Sequence, residues 1–225
     1  MNHAETEYWI GGLFPGEMSV EEVAVVVPAR GRHGHDVEGE PFSVGGFALP
    51  GTDPEEDVWC SLDLGRFDAG LRTPEGADVR VEVFFAGFAD EPVSDCVAAA
   101  ATMLSLAAPG ELPPTPGTLL PDLVELAVGD LPEEERGHTV AHGLLVVPYL
   151  WPQGTPMVTE TPDDISRHDG EPEGTPDHRI TTVIQLVTVT DEEATFAAEH
   201  GVAELMRLLE ERGADLRDLR RASVV

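Results

Sequence analysis

Two histidines four residues apart, His138 and His142, are the first side chains whose type and spacing suggest chemistry. On a helix that spacing sets two imidazoles on one face, as a zinc or iron site requires. Here Gly137 precedes the pair, Gly143 follows it, and no glutamate lies between. The stretch reads as a loop entering a strand, where the same spacing holds the rings far apart. His138 and His142 are therefore weak metal candidates. A second cluster, His33, His35 and Asp36, lies on a Gly-rich loop and reads as solvated. Cys60 and Cys96 are the only cysteines, too few for a disulfide framework, and read as buried thiols acting as small apolar residues. Ser61 has no base beside it in sequence. There is no G-x-S-x-G elbow, phosphate-binding loop or G-x-G-x-x-G fingerprint. With 43 carboxylates close pairs are inevitable, so a proposed acid/base dyad carries no weight without geometry. No cofactor is expected.

Tyr149 and Trp151 are candidates of another kind. They stand at the exit of an apolar strand and the mouth of an acidic stretch, 151–178, with five prolines and seven acids against Arg167. Large aromatics beside such a loop are frequent anchors of protein contacts. Packing at the edge of a core is the equal alternative. Together with Glu160, Asp163, Asp164, Asp169 and Glu171 they form the candidate partner-binding set.

The elements that position these residues follow from pattern and composition. The chain has 225 residues, 43 acidic and 13 basic, every basic one an arginine, for a net charge of −30. That excess repels a phosphate backbone and disfavours nucleic-acid binding. A hydrophobic fraction of 41 % excludes a wholly disordered acidic chain. Spread over the roughly 10,000 Å² that such a mass exposes, the excess charges stand about 18 Å apart. The Debye length in physiological salt is about 8 Å, so the fold tolerates them. The longest apolar run, 96–108, is too short to span a bilayer, and residues 1–12 lack a secretory pattern. A cytoplasmic protein without membrane contact is expected.

The β-branched run 23–27 reads as a strand, although Ser19 and Glu22 keep a capping-box helix open. Residues 29–41 read as a loop. Residues 57–64 and 79–85 alternate as strands of an antiparallel pair, the second with Arg80 and Glu82 on its polar face. The Ala-rich segment 92–108 reads as a helix buried on most sides, 112–121 as a proline-rich loop, and 123–128 as a weak strand. Residues 144–150 and 180–189 are the best strands, the latter central because neither face is polar. A long loop or partly ordered insertion, 151–178, joins them. Thr190 and Glu193 box a helix from Asp191, a second follows Gly201 and stops at Gly213, and Arg217, Arg220 and Arg221 form one locally basic patch. The expected class is α+β, a mixed and largely antiparallel sheet flanked by helices.

Several segments in order resemble one family. They are Gly137-His138-Thr139, the stretch 144–149 (LLVVPY), the stretch 184–193 (IQLVTVTDEE) and the stretch 196–209 (FAAEHGVAELMRLL). This succession resembles the suppressor of fused domain family. Its members carry a Gly-His-Thr turn, a strand ending in helix-capping acids, and a helix of pattern Glu-x-Gly-x-x-x-Leu, matched by Glu199, Gly201 and Leu205. Arg80, Val81 and Glu82 fit the family's strand before its long helix, and 57–65 the strand before that. The resemblance covers about 57–225 of a single domain spanning 1–225, and residues 1–56 match loosely.

The resemblance implies a non-enzymatic binding domain. Animal members grip the peptide of a zinc-finger transcription factor as an added strand between two domains. This chain resembles the amino-terminal one, so no peptide-contact residue carries over. Short bacterial members resemble immunity proteins that neutralise toxins, and the acidity here suits a basic toxin. Two rivals stay open. One is an acidic nucleic-acid mimic blocking a DNA-binding protein. The other is a metal-dependent enzyme using His138 and His142 with His178.

Overall fold

The computed structural model describes residues 1–27, 37–38, 41–108, 110–129, 137–160 and 178–225. Two eleven-residue strands, β6 (Asp78–Phe88) and β10 (Arg179–Val189), form its centre. They run parallel, with Ile180 opposite Val79 and Gln185 opposite Phe84. Both are buried along nearly their whole length, which is what strands covered on two faces require. Beyond β6 lie β5 (Glu56–Ser61), β4 (Phe42–Leu49) and β1 (Ser19–Val23). Beyond β10 lie β8 (His142–Val146) and the two-residue β7 (Leu119–Leu120). The order is β1-β4-β5-β6-β10-β8-β7, and β9 (Met157–Glu160) also pairs with β10. Every pairing in this sheet except β6–β10 is antiparallel. The class is therefore α+β with a mixed, largely antiparallel sheet. A separate ribbon joins β2 (Val26–Val27) and β3 (Val37–Glu38).

Helices cover both faces. On one, α2 (Val93–Leu106) packs Cys96, Val97 and four successive alanines against Val83, Phe85, Ile184 and Leu186, as its apolar sequence predicts. The short α3 (Leu123–Ala127) joins the same core. On the other face α1 (His3–Gly11) brings Ile10, with Phe14 beyond it, onto Phe47, Val58 and Phe84. Nearer β8, α4 (Asp191–His200) and α5 (Val202–Arg212) cover Leu144, Val146, Val187 and Val189. The Thr190–Glu193 capping box is formed and Gly213 ends α5 at φ 65°. Both cysteines are free and buried. No helix among the described residues is long and apolar enough to cross a membrane.

Several expectations are corrected. The single strand at 23–27 is two, since β1 ends at Val23 and β2 begins at Val26. The alternative helix there does not form. Ser19 Oγ donates to the Gly46 carbonyl at 3.3 Å and Glu22 accepts from Ser43 Oγ at 2.6 Å, so both would-be capping side chains are spent across the β1–β4 pair. Most of the expected loop 29–41 lies outside the described residues, but Val37–Glu38 within it is a strand. Within 112–121, Leu119–Leu120 pairs with β8. The strand expected over 123–128 is instead the helix α3, ending at Ala127, because Asp122 turns the chain at φ 55° and the Leu126 amide returns to its carbonyl at 3.1 Å. Arg80 and Glu82, on the other face of the alternating strand, are themselves buried, at 4 % and 1 % exposure. The η-type turn Leu64–Arg66 covers them. Glu82 accepts from Ser61 Oγ at 2.5 Å and from the Leu64 and Gly65 amides at 3.1 and 2.8 Å.

The β4–β5 pair leaves no room at Gly46. A Cβ there would meet the ring of its cross-strand neighbour Trp59 at 2.6 Å. Gly46→Ala is expected to lower stability by about 1–3 kcal/mol, the usual cost of overpacking. Urea unfolding reads it, and an unchanged midpoint would show that Trp59 moves aside freely.

Candidate functional site

Strands β8 and β9 occupy the same side of β10 in succession. Val146 stands opposite Gln185, and Met157 opposite Thr182. The ten residues 147–156 therefore leave the sheet beside Val183 and Ile184 and return to the same lane. Proline at 148 explains why the strand expected over 144–150 stops at Val146, because proline has no amide to give to a ladder. Trp151 turns inward and is half-buried, its ring 5.5 Å from Phe14 and 5.4 Å from Phe84, edge-on to the latter at 75°. Val147, Tyr149 and Leu150 turn outward, 62 %, 53 % and 43 % exposed. The Tyr149 amide donates to Gln185 Oε1 at 3.2 Å, tying the loop's backbone to β10. The two aromatics thus divide the work: Trp151 packs, and Tyr149 is displayed.

Among the acids of the candidate set, Glu160 turns inward. It closes β9 at 4 % exposure and accepts from the Met1 amine at 2.6 Å and from Thr181 Oγ1 at 3.2 Å. Alternation along a strand sends every second side chain into the fold, and Glu160 is on that side. Within the expected long loop or partly ordered insertion over 151–178, Met157–Glu160 is a strand of the main sheet. Asp163, Asp164, Asp169 and Glu171 lie outside the described residues, as do His33, His35 and Asp36.

The histidine pair does not converge. The His138 side chain is 3 % exposed, with Nε2 3.3 Å from Glu91 Oε2. Burial first, and the Arg220 charge second, lower its pKa, so the ring is neutral at pH 7. At His142, Nδ1 accepts the Asp122 amide at 2.9 Å and Nε2 lies 2.9 Å from Asp191 Oδ1. A ring nitrogen that accepts an N–H has no lone pair left for a metal. His178 is exposed, one residue before β10. No group of three His, Cys, Asp or Glu among the described residues is placed to hold a metal ion.

The electrostatics are one-sided. The basic patch expected in the tail is consumed internally. Arg217 pairs with Glu56 and Asp215 and lies 5.2 Å over the Phe88 ring. Arg220 pairs with Glu91. Arg221 places both Nη atoms 2.7 Å from the Glu193 carboxylate and donates to the Thr188 carbonyl at 2.8 Å. Arg66, Arg72, Arg80, Arg179 and Arg207 each lie within 4.0 Å of a carboxylate as well. These cations are bound to the protein's own acids, and the unbalanced charge facing solvent is negative.

Two elements beneath the loop escape the sequence reading. One is α1, whose signal is the capping box formed by Asn2 and Glu5. The other is β4, whose apolar residues Phe42, Val44 and Phe47 are split by Gly45 and Gly46.

Comparison with known proteins agrees with this architecture. The chain is similar to a structure described as the Sufu-Fu complex, with a TM-score of 0.52 at 14 % identity over 81 % of this chain and 77 % of that one. It is also similar to Drosophila Suppressor of Fused, with a TM-score of 0.45 at 14 % identity over 83 % of this chain and 43 % of that one. At 14 % identity, what the first of these, with its TM-score of 0.52, shows to be shared is the fold alone. No curated protein matches the sequence. The family described as Suppressor of fused protein (SUFU) matches residues 43–222. That span begins within β4, upstream of the segments that carry the sequence resemblance. Running from β4 through the arginine tail, it takes in most of the chain, which therefore belongs to the suppressor of fused family.

Proposed function

We propose that this chain is a protein-binding domain that neutralises a basic toxin by direct contact, with Tyr149 as an anchor. One observation carries the reading. The loop 147–156 is pinned by Trp151 and displays Val147, Tyr149 and Leu150 on a chain of net charge −30. An apolar cluster held in place before binding loses little entropy on association, and aromatic anchors of this kind dominate interface energies. The surrounding negative field accelerates capture of a positive partner. Membership of the family supports a binding role, and the similar structure described as the Sufu-Fu complex contains a second protein. The acids at 163, 164, 169 and 171 extend the same charge along the chain, while Glu160 serves the fold.

The test is co-expression with the product of a neighbouring toxin-like gene, followed by affinity measurement. Tyr149→Ala is expected to weaken binding at least tenfold with little change in thermal stability. Raising salt from 50 to 500 mM is expected to slow association by more than tenfold. Failure to recover a basic protein partner, or full affinity in Tyr149→Ala, would overturn the reading.

A further inference from the structure

A second surface is built for a positive charge. At the carboxyl end of α1 lies an open groove of about 720 Å³, walled by Tyr8, Trp9, Leu13 and Met18 with Glu7 among its lining residues. Tyr8 is 87 % exposed, far more than a tyrosine needs for packing. Gly11 and Gly12 also line it, and a Cβ on Gly12 would lie 3.4 Å from the Trp9 carbonyl oxygen and 3.9 Å from that of Tyr8. Bare backbone therefore borders the groove.

Three independent features give it a sign. Glu7 has no ion-pair partner among the described residues. The last turn of α1 carries no basic residue, so no side-chain cation answers the negative end of the helix dipole, although the Gly12 and Leu13 amides cap the Trp9 and Ile10 carbonyls. Tyr8 and Trp9 supply aromatic rings, whose faces attract cations. No basic side chain lines the groove. An anion would be repelled here, and a purely apolar group would leave the Glu7 carboxylate without a counter-charge. A second copy of the chain brings the same net charge of −30, with its described arginines largely engaged in its own ion pairs. The occupant is therefore a foreign cation. A guanidinium suits the site better than an ammonium, because it is planar, weakly hydrated and stacks on aromatic rings.

We propose that the groove at the carboxyl end of α1 receives an arginine side chain of the basic partner. This rests on the basic-partner reading but names a surface separate from the Tyr149 loop. The probe is a blocked hexa-arginine peptide, with hexa-citrulline as its uncharged counterpart, followed by amide NMR shifts and tryptophan fluorescence. Hexa-arginine is expected to shift amides of residues 7–13 and 18 most. Tyr8→Ala and Glu7→Gln are each expected to weaken binding about fivefold. Leu106→Ala, an exposed site elsewhere, is expected to leave binding unchanged. Shifts spread evenly over the surface, or binding indifferent to Tyr8→Ala, would overturn the proposal. Equal binding of hexa-citrulline would do the same. Shifts gathered at residues 147–151 would refute this groove and leave the basic-partner reading standing, whereas no binding at all would remove both. Dimerisation abolished by Tyr8→Ala would assign the groove to a second copy and overturn the proposal.

Discussion

Replacing Arg221 with alanine is expected to cost about 3–5 kcal/mol of folding stability, the range for removing one partner of a buried ion pair. Glu193 is completely buried, and its carboxylate performs two tasks. As third residue of α4 it accepts the Thr190 amide at 3.1 Å and closes the capping box. It also receives both Arg221 nitrogens and the Val224 amide, the latter at 3.1 Å, which holds the tail against β10 and α4. Without the guanidinium, a dry carboxylate faces two amides alone. Burial by itself would raise the Glu193 pKa, but the bonds from Arg221 and Thr190 outweigh it and leave it below the ordinary value. A depressed pKa means that its stabilisation is present above about pH 4.5 and is lost as pH falls through the folded value. The penalty in Arg221→Ala should accordingly shrink in acid. Urea titrations at pH 7 and pH 3.5 measure both parts. A loss below about 1 kcal/mol at neutral pH would show that the pair is solvated after all.

Glu82 works in the opposite direction. It is fully buried between β6 and the Leu64–Arg66 turn, and desolvation, the largest influence, pushes its pKa up to about 8 in spite of the Ser61 and Gly65 hydrogen bonds. The folded protein then holds a proton that the unfolded chain releases above about pH 4.5. Between pH 4.5 and 8 this group alone lowers stability by about 1.4 kcal/mol per pH unit, several kcal/mol in all. Glu82→Gln removes that slope. Its amide cannot accept every bond the carboxyl accepts, so the variant should be less stable than the parent near pH 5 and gain on it steadily towards pH 8. The difference between the two proteins in urea midpoint, followed across pH, isolates Glu82 from the many other carboxylates. A difference that does not change with pH would mean that Glu82 is ionised in the fold and held by its three donors.

The parts of the fold legible in the sequence are those with strong local signals. The capping box at Thr190 and Glu193, the glycine stop at 213 and the unbroken apolar run of β10 each act within a few residues, and each appears where expected. What stayed hidden depends on distant neighbours. Arg80 and Glu82 alternate as a solvated face would, yet the turn at 64–66 and the Asp78 carboxylate bury them. The tail arginines look basic because, apart from Asp215 beside Arg217, their acids, Glu56, Glu91 and Glu193, lie more than 25 residues away in sequence. The same holds for the candidate site. Tyr149 and Trp151 were visible as a pair, but only the positions of Phe14 and Phe84 decide which of them packs and which is offered. The groove beside Tyr8 had no sequence signal beyond an aromatic pair on an unrecognised helix.

The return of β9 to the lane vacated by β8 has a consequence for how such proteins diversify. Because β9 keeps its own register on β10, the ten residues between them form a cassette fastened at both ends. Closure entropy rises only with the logarithm of length, so lengthening such a cassette by half costs about 0.4 kcal/mol. Its length and contents can therefore change at little cost to the fold, while the pairing arithmetic of the sheet stays intact.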